Sequence, residues 1–453
     1  MKNVYFLGVG GIGMSALARY FKARGAEVNG YDKTPTALTA ELEAEGIGIH
    51  YDEDIAVLPH GIELVVHTPA VPISHVEYQH FLQQGIPILK RAELLGWITE
   101  GMFTIAVAGT HGKTSVTSMI THLLKSSGVA MNAFIGGIPI NSGNNLEFDP
   151  RAGIVVTEAD EFDRSFLHLK PDITVVTAVD ADHLDIYGNY ETLKETFGIF
   201  VKNLKADGNL IHHRELSFNG IPSNQTTTYG LSEADATASD VRVSQGKFCF
   251  EMHLPQQPVC TVEMQVPGVH NVENALAAAT VASKMGIGAR EIAAALGTFK
   301  GVRRRFEIHV NTDRIKYVDD YAHHPDELKA CISAARDLWP GWLITGIFQP
   351  HLYSRTRDLA TGFIEVLNRL DAVILLPIYP ARELPIPGVD SEMLLRKLEV
   401  SDKRLLSLEK VAEWAKGFDQ GVLITMGAGN IDLCVEPLRD LLSAKSLGGA
   451  ADE

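Results

Sequence analysis

The sequence predicts an α/β protein of three domains, each built on a largely parallel sheet. Length is the first reason, because 453 residues exceed what one hydrophobic core organises, and about 150 residues per domain suggests three. The second is a pair of glycine-rich turns, at residues 8–13 and 109–114, each between an apolar strand and a helix. The third is a renewed alternation of strand and helix after residue 307.

The first block, residues 1–101, opens with the strand NVYFL, the turn Gly8-Val9-Gly10-Gly11-Ile12-Gly13 and the helix MSALARYFKARG. The next strand, AEVNGY, ends at Asp32, where a dinucleotide fold sets an acid on a ribose. IELVVHTPAV, the helical VEYQHFLQQG and IPILKR carry the alternation to about residue 100. Alone, this pattern reads as an NAD-dependent oxidoreductase, but the block is short for a dinucleotide domain and no second half is expected to complete it.

The second block, residues 102–306, contains IAVAGTHGKT, an apolar strand running into Gly109, Thr110, His111, Gly112, Lys113 and Thr114 and then a helix. Such a turn cradles phosphate: backbone N–H groups and the helix N-terminus face the oxygens, Lys113 reaches the β/γ positions, and the Thr114 hydroxyl can ligate Mg²⁺. Val107 stands where the usual loop has its first glycine, so the loop is a shorter version. ATP and Mg²⁺ are the expected ligands. GIVVTEADE ends in Glu158, Asp160 and Glu161, and DITVVTAVD leads into Asp180, Asp182, His183 and Asp185. Carboxylates and an imidazole at strand ends beside a phosphate loop suit the Mg²⁺ of a nucleotide. VRVSQGKFCFEMHL reads as a hairpin with a Gln-Gly turn, which adds a small antiparallel sheet, and VENALAAATVASKMG closes the block as a helix. In the third block, residues 307–453, RIKYVDDYA, GWLITGIFQ, AVILLPIY and QGVLITMGAG read as strands, and KSLGGAADE as a frayed end.

Composition excludes several classes. With 45% hydrophobic and 21% charged residues and no apolar run of about 20, the chain has no expected membrane span. No signal segment is expected before the first strand. Cys249, Cys260, Cys331 and Cys434 form no CxxC pair, which fits a reducing compartment, the cytoplasm, and argues against a zinc or disulfide framework. A net charge of -16 disfavours nucleic acid as a partner.

GTHGKTS, EADEFDRSFL, DADHLDIYG, HNVENALAA, FKGVRRRFE, DDYAHHPDE, FQPHLYSRTRD and MGAGNID occur in the order seen in the Mur ligases, which build the peptide stem of bacterial cell-wall precursors. The resemblance spans nearly the whole chain. It implies a Rossmann-like N-terminal domain for a UDP-sugar, a central P-loop-type ATPase and a Rossmann-like C-terminal domain for an amino acid. The chain is most similar to the members that join L-alanine to the lactyl carboxylate of UDP-N-acetylmuramate through an acyl phosphate. The resemblance makes Lys113 and Thr114 holders of the ATP phosphates, and Glu158 and His183, with Thr114, ligands of Mg²⁺. It makes Asn271 and Asn274 adenine contacts, Asp320 a ribose contact, and Arg304 and Arg305 part of the nucleotide-binding junction. Gly8, Gly10, Gly11 and Gly13 then take the UDP diphosphate rather than NAD, with Asp32, His67, Thr68 and Arg91 around the UDP-sugar. Tyr321, His323, His324, His351 and Arg355 resemble the amino-acid pocket, where Arg355 can fork onto a carboxylate and a neutral histidine can accept a proton. Leu352 stands where many members carry Arg, and Thr196 where several carry a carbamylated lysine, so carbamylation is not expected of this chain, nearby Lys194 included. A bacterial cytoplasmic protein, monomer or weak homodimer, is expected. A tripeptide-recycling ligase, a non-catalytic nucleotide-binding regulator and the oxidoreductase remain as other readings.

Overall fold

The computed structural model describes the backbone of residues 1–180, 184–381 and 383–448. The chain gathers into two compact units, one comprising Met1–Asp240, Phe250–Val262 and Glu273–Phe299, the other Val241–Cys249, Glu263–Val272 and the residues from Lys300 onward.

The first unit holds two sheets. In one, β1 (Asn3–Leu7), β2 (Glu27–Tyr31), β3 (Gly48–His50), β4 (Leu64–His67) and β5 (Ile88–Lys90) run parallel in the order β3-β2-β1-β4-β5. Val4 to Leu7 of central β1 are buried on both faces, which is why this strand reads as an unbroken apolar run. β4 and β5 lie on the other side of β1 from β2 and β3, so the sheet has five strands and the second half of a dinucleotide fold is incomplete.

The second sheet comprises β6 (Phe103–Ala108), β7 (Met131–Phe134), β8 (Leu146–Glu147), β9 (Ile154–Glu158), β10 (Ile173–Val176), β11 (Asn209–His213) and β12 (Thr226–Tyr229) in the order β12-β11-β10-β6-β9-β7-β8. Among the described pairings of this sheet only β7 with β8 is antiparallel. Apolar side chains from both sheets form one continuous core, in which the Tyr20 and Phe134 rings lie 5.3 Å apart. Central β6 is flanked by β10 and β9, so the ends of all three strands face the loop that follows β6.

β13 (Thr237–Ser244), β14 (Lys247–His253) and β15 (Cys260–Met264) form the small antiparallel sheet. Its first turn is the expected Gln-Gly pair: Gln245 and Gly246 have φ of 50° and 75°, the left-handed values of a tight hairpin turn. In the second unit β16 (Glu307–Asn311), β17 (Ile315–Asp320), β18 (Ile344–Phe348), β19 (Ala372–Leu375), β20 (Asp402–Leu405) and β21 (Gly421–Met426) are ordered β16-β17-β21-β18-β19-β20, with β16 antiparallel to β17. The four inner strands were legible as apolar runs. The polar edges β16 and β20 were not, because an edge strand covered on fewer sides need not be apolar. Among the described residues all four cysteines are unpaired, and no helix is long and apolar enough to cross a membrane.

Candidate active site

The loop after β6 is shaped by its two glycines. Gly109 has φ 142°, and a Cβ there would fall 2.0 Å from Thr177 Oγ1; Gly112, at φ 82°, caps the helix Lys113–Ser126. The strand end beyond β10 pins the loop. Thr110 N–H donates to Ala178 O at 3.0 Å, Asp180 N–H to Thr110 Oγ1 at 3.1 Å, and the Thr177 hydroxyl to His111 O. His111 Nε2 lies 3.7 Å from Asp180 Oδ2. Asn274 Oδ1 sits 2.8 Å from where a Gly112 Cβ would be, so Asn274 borders the loop. Asn271 is buried and donates its amide to Pro267 O at 2.7 Å.

Lys113 and Thr114 occupy the first turn of that helix, at its positive end. Lys113 Nζ donates to Gly109 O at 2.6 Å and to both Glu161 oxygens at 2.8 and 2.7 Å. Burial alone would lower the lysine pKa, but Glu161, Asp160 and Glu158 outweigh it and raise it, so the ammonium stays charged. Burial raises the Glu158 pKa against the opposing pull of Gly136 N–H, Lys113 and the Thr114 hydroxyl. Glu158 Oε1 accepts the Gly136 N–H at 2.6 Å. This donor set fits a hard divalent cation and phosphate: a carboxylate and a hydroxyl meet beside a fixed ammonium and a helix N-terminus. His183 lies outside the described residues. Sequence reasoning missed the roles of Glu161 and Gly136. Glu161 stood in a visible acidic run, but only the fold selects which carboxylate meets Lys113, and Gly136 carried no local signal.

The first glycine turn brings its expected neighbours together. A Cβ at Gly8 would fall 2.4 Å from Thr68 Cγ2, one at Gly10 2.8 Å from Asp32 Oδ2, and one at Gly13 2.9 Å from Arg91 Nη1. Gly11 caps the helix Ile12–Ala23. Asp32 accepts N–H groups from Gly10 at 2.8 Å and Thr34 at 3.2 Å, so it braces the loop that it was expected to help in holding a sugar. His67 is buried at the end of β4, edge-on to Tyr78 at 5.2 Å, and burial lowers its pKa. Arg91, which follows β5, reaches Asp160 Oδ2 beyond the end of β9 with its Nη2 at 3.1 Å.

In the second unit an aromatic and basic cluster forms around β17 and β18. The Arg304 and Arg305 guanidinium groups each lie 5.2 Å from the Tyr321 ring centre, and the His323 ring is edge-on to Tyr321 at 5.3 Å. His351 lies 6.1 Å from His323 and stacks on Tyr379 at 5.7 Å. Burial, with His323 and Arg355 adding to it, pushes the His351 pKa down to about 4. Burial likewise lowers that of His323, with Arg355 and Arg305 adding and Glu327 opposing. His323 Nδ1 is 3.0 Å from the Tyr321 carbonyl, which only accepts, so Nδ1 carries the proton and Nε2 is the basic nitrogen. His324 is the N-cap of the helix Pro325–Leu338, its Nδ1 accepting the Asp326 N–H at 3.4 Å. Arg304 is tied to Asp319 at 3.0 Å and to Gly427 O at 2.7 Å. Asp320 accepts N–H groups from Phe306 and Ala322, both at 2.7 Å, and burial pushes its pKa up to about 6. Arg304 and Asp320 thus brace the junction between residues 304 and 322, a structural task that their motifs did not disclose.

Three family models match in chain order: the Mur ligase family, catalytic domain at residues 3–102, the Mur ligase middle domain at 107–282 and the Mur ligase, glutamate ligase domain at 304–432. The chain is 43% identical to a UDP-N-acetylmuramate--L-alanine ligase of Flavobacterium johnsoniae, covering 98% of each chain. It is 45% identical to that of Parabacteroides distasonis, covering 97% of each. A crystal structure of a UDP-N-acetylmuramate-alanine ligase from Thermotoga maritima superposes with a TM-score of 0.84 at 26% identity, over 99% of this chain and 100% of that one. A murein peptide ligase from Psychrobacter arcticus has the same fold, with a TM-score of 0.70 at 22% identity, over 98% of this chain and 99% of the other. With its three domains in this order, the chain belongs to the Mur ligase family.

Proposed function

We propose that the protein joins L-alanine to the lactyl carboxylate of UDP-N-acetylmuramate, with conversion of ATP to ADP and phosphate, in bacterial cytoplasmic peptidoglycan precursor synthesis. Full-length similarity to ligases of that name supports the substrates. One observation supports the chemistry: a charged lysine, a hydroxyl and a carboxylate meet at the N-terminus of the helix that follows the glycine turn. Residues 1–101, 102–306 and 307–453 serve the UDP-sugar, ATP and the amino acid in turn.

A carboxylate and an amine do not condense in water unaided. The carboxylate oxygen attacks the γ-phosphorus, ADP leaves, and the acyl phosphate is then attacked by the alanine amine, with phosphate as the leaving group. Lys113 and the helix N-terminus stabilise charge on the transferring phosphoryl group. Gly109 to Gly112 let the backbone approach the phosphates, and Asn274 and Asn271 take the adenine. Glu158 and Thr114, with His183 as the family resemblance implies, would hold Mg²⁺, which when bound would neutralise the crowded phosphate and carboxylate oxygens. Gly8, Gly10, Gly11 and Gly13 bind the UDP diphosphate, with His67, Thr68 and Arg91 beside them. Arg355 forks the alanine carboxylate. His323, neutral at working pH and with Nε2 basic, accepts the amine proton.

The test is phosphate release from ATP with UDP-N-acetylmuramate, supplied with L-alanine, L-serine, glycine or the stem tripeptide. Release with L-alanine foremost is expected. Preference for the tripeptide would move the protein to the recycling reaction, and no release with any acceptor would overturn the reading.

A further inference from the structure

Asn145 lies in the loop before β8 with no solvent exposure, and its side chain is fully engaged by the helix behind the first glycine turn. Its Nδ2 donates to Ile12 O at 2.7 Å and to Ser15 Oγ at 2.9 Å. Its Oδ1 accepts from Arg19 Nη1 at 2.6 Å. Arg19, itself 5% exposed, is oriented by Glu45, whose oxygens lie 2.7 to 3.0 Å from Nε and Nη2. On the other side the Asn145 carbonyl accepts the Ile135 N–H at 3.0 Å, and the next amide, Gly136, holds Glu158 Oε1 at 2.6 Å. One hydrogen-bonded path, buried at Asn145 and Ile135, therefore runs from the first residue of the helix Ile12–Ala23 to the carboxylate beside the phosphate loop.

Adhesion does not require this path. Tyr20 already packs on Phe134 at 5.3 Å and on Phe148 at 5.8 Å across the same junction, and a buried polar pair adds little to stability over apolar packing. What a fully satisfied amide does add is a single orientation, since any slip leaves buried donors unpaired.

We propose that Asn145, oriented by Arg19, is a positioning residue that couples occupancy of the first glycine turn by a nucleoside-diphosphate sugar to the setting of Glu158 beside the nucleotide. The proposal rests on the ligase reading above.

Calorimetry of the full chain tests it, with UDP-N-acetylmuramate titrated alone and in the presence of Mg²⁺ and a non-hydrolysable ATP analogue. In the unaltered protein each ligand is expected to raise the affinity of the other about tenfold. Asn145→Ala should reduce this enhancement to about twofold or less while each ligand alone binds within about threefold of its original affinity. Arg19→Lys, which keeps the charge but not the fork, should do the same and carries the test if Asn145→Ala does not fold. Retained enhancement in the folded variants, or none in an unaltered protein that binds both ligands, would overturn the coupling and leave the ligase reading intact. Failure of the unaltered protein to bind UDP-N-acetylmuramate would instead overturn the ligase reading and the coupling with it.

Discussion

The Lys113 ammonium lies 2.7 Å from a carboxylate oxygen of Glu161, a side chain with no solvent exposure. Removing one member of such a pair strands the other, so Lys113→Ala should cost roughly 3 to 5 kcal/mol of stability as well as ligation. Lys113→Ala combined with Glu161→Gln should recover most of the stability and none of the turnover. Thermal unfolding beside a phosphate-release assay separates the two effects, and an active double variant would remove Lys113 from the chemistry.

Gly136→Ala addresses Glu158 without touching it. A Cβ at 136 would fall 2.5 Å from Glu158 Oε2, the far end of a side chain, so the fold survives while the carboxylate moves. Half-saturating Mg²⁺ for ligation should rise about tenfold or more, as with other losses of support around a metal site. An unchanged Mg²⁺ titration would place the cation elsewhere.

Arg355→Lys keeps charge and loses bidentate geometry. The KM for L-alanine should rise far more than those for ATP and UDP-N-acetylmuramate, since Leu352 supplies no second cation. Equal effects on all three would assign Arg355 to folding or closure.

His323 and His324 should part company. His323→Gln should lower kcat with little change in the KM for alanine, because it removes the basic Nε2. His324→Gln removes an N-cap and should lower stability by about 1 kcal/mol with kcat largely kept. Steady-state kinetics and thermal midpoints together check both.

His351 and Asp320 should tilt the pH dependence of stability in opposite directions. The folded pKa of His351, about 4, lies below the ordinary histidine value of roughly 6.5, so its contribution is present above 6.5 and is lost as pH falls towards 4. Asp320, at about 6, lies above the ordinary aspartate value, so its contribution is present at low pH and is lost as pH rises through 6. Between pH 4 and 6, His351→Gln should make stability rise less with pH and Asp320→Asn should make it rise more. Thermal midpoints across that range read both slopes.

The sequence by itself determined the sheet cores and both glycine turns. Central strands such as β1, β6 and β21 are buried on both faces and must be apolar, and a chain that turns sharply from strand into helix around a ligand needs glycine there, so both signals are local. It also exposed the carboxylates at the ends of β9 and beyond β10, because chain polarity in a parallel sheet puts strand C-termini on one side. Only the tertiary structure decided which of three neighbouring acids meets Lys113, that Gly136 holds Glu158, that Asp32 and Asp320 brace backbone amides, and that Asn145 ties the helix Ile12–Ala23 to the loop before β8. These are contacts between residues about 14 to 133 positions apart, set by how strands and helices pack, and no local pattern of charge or hydrophobicity encodes which distant partner a buried polar group will find.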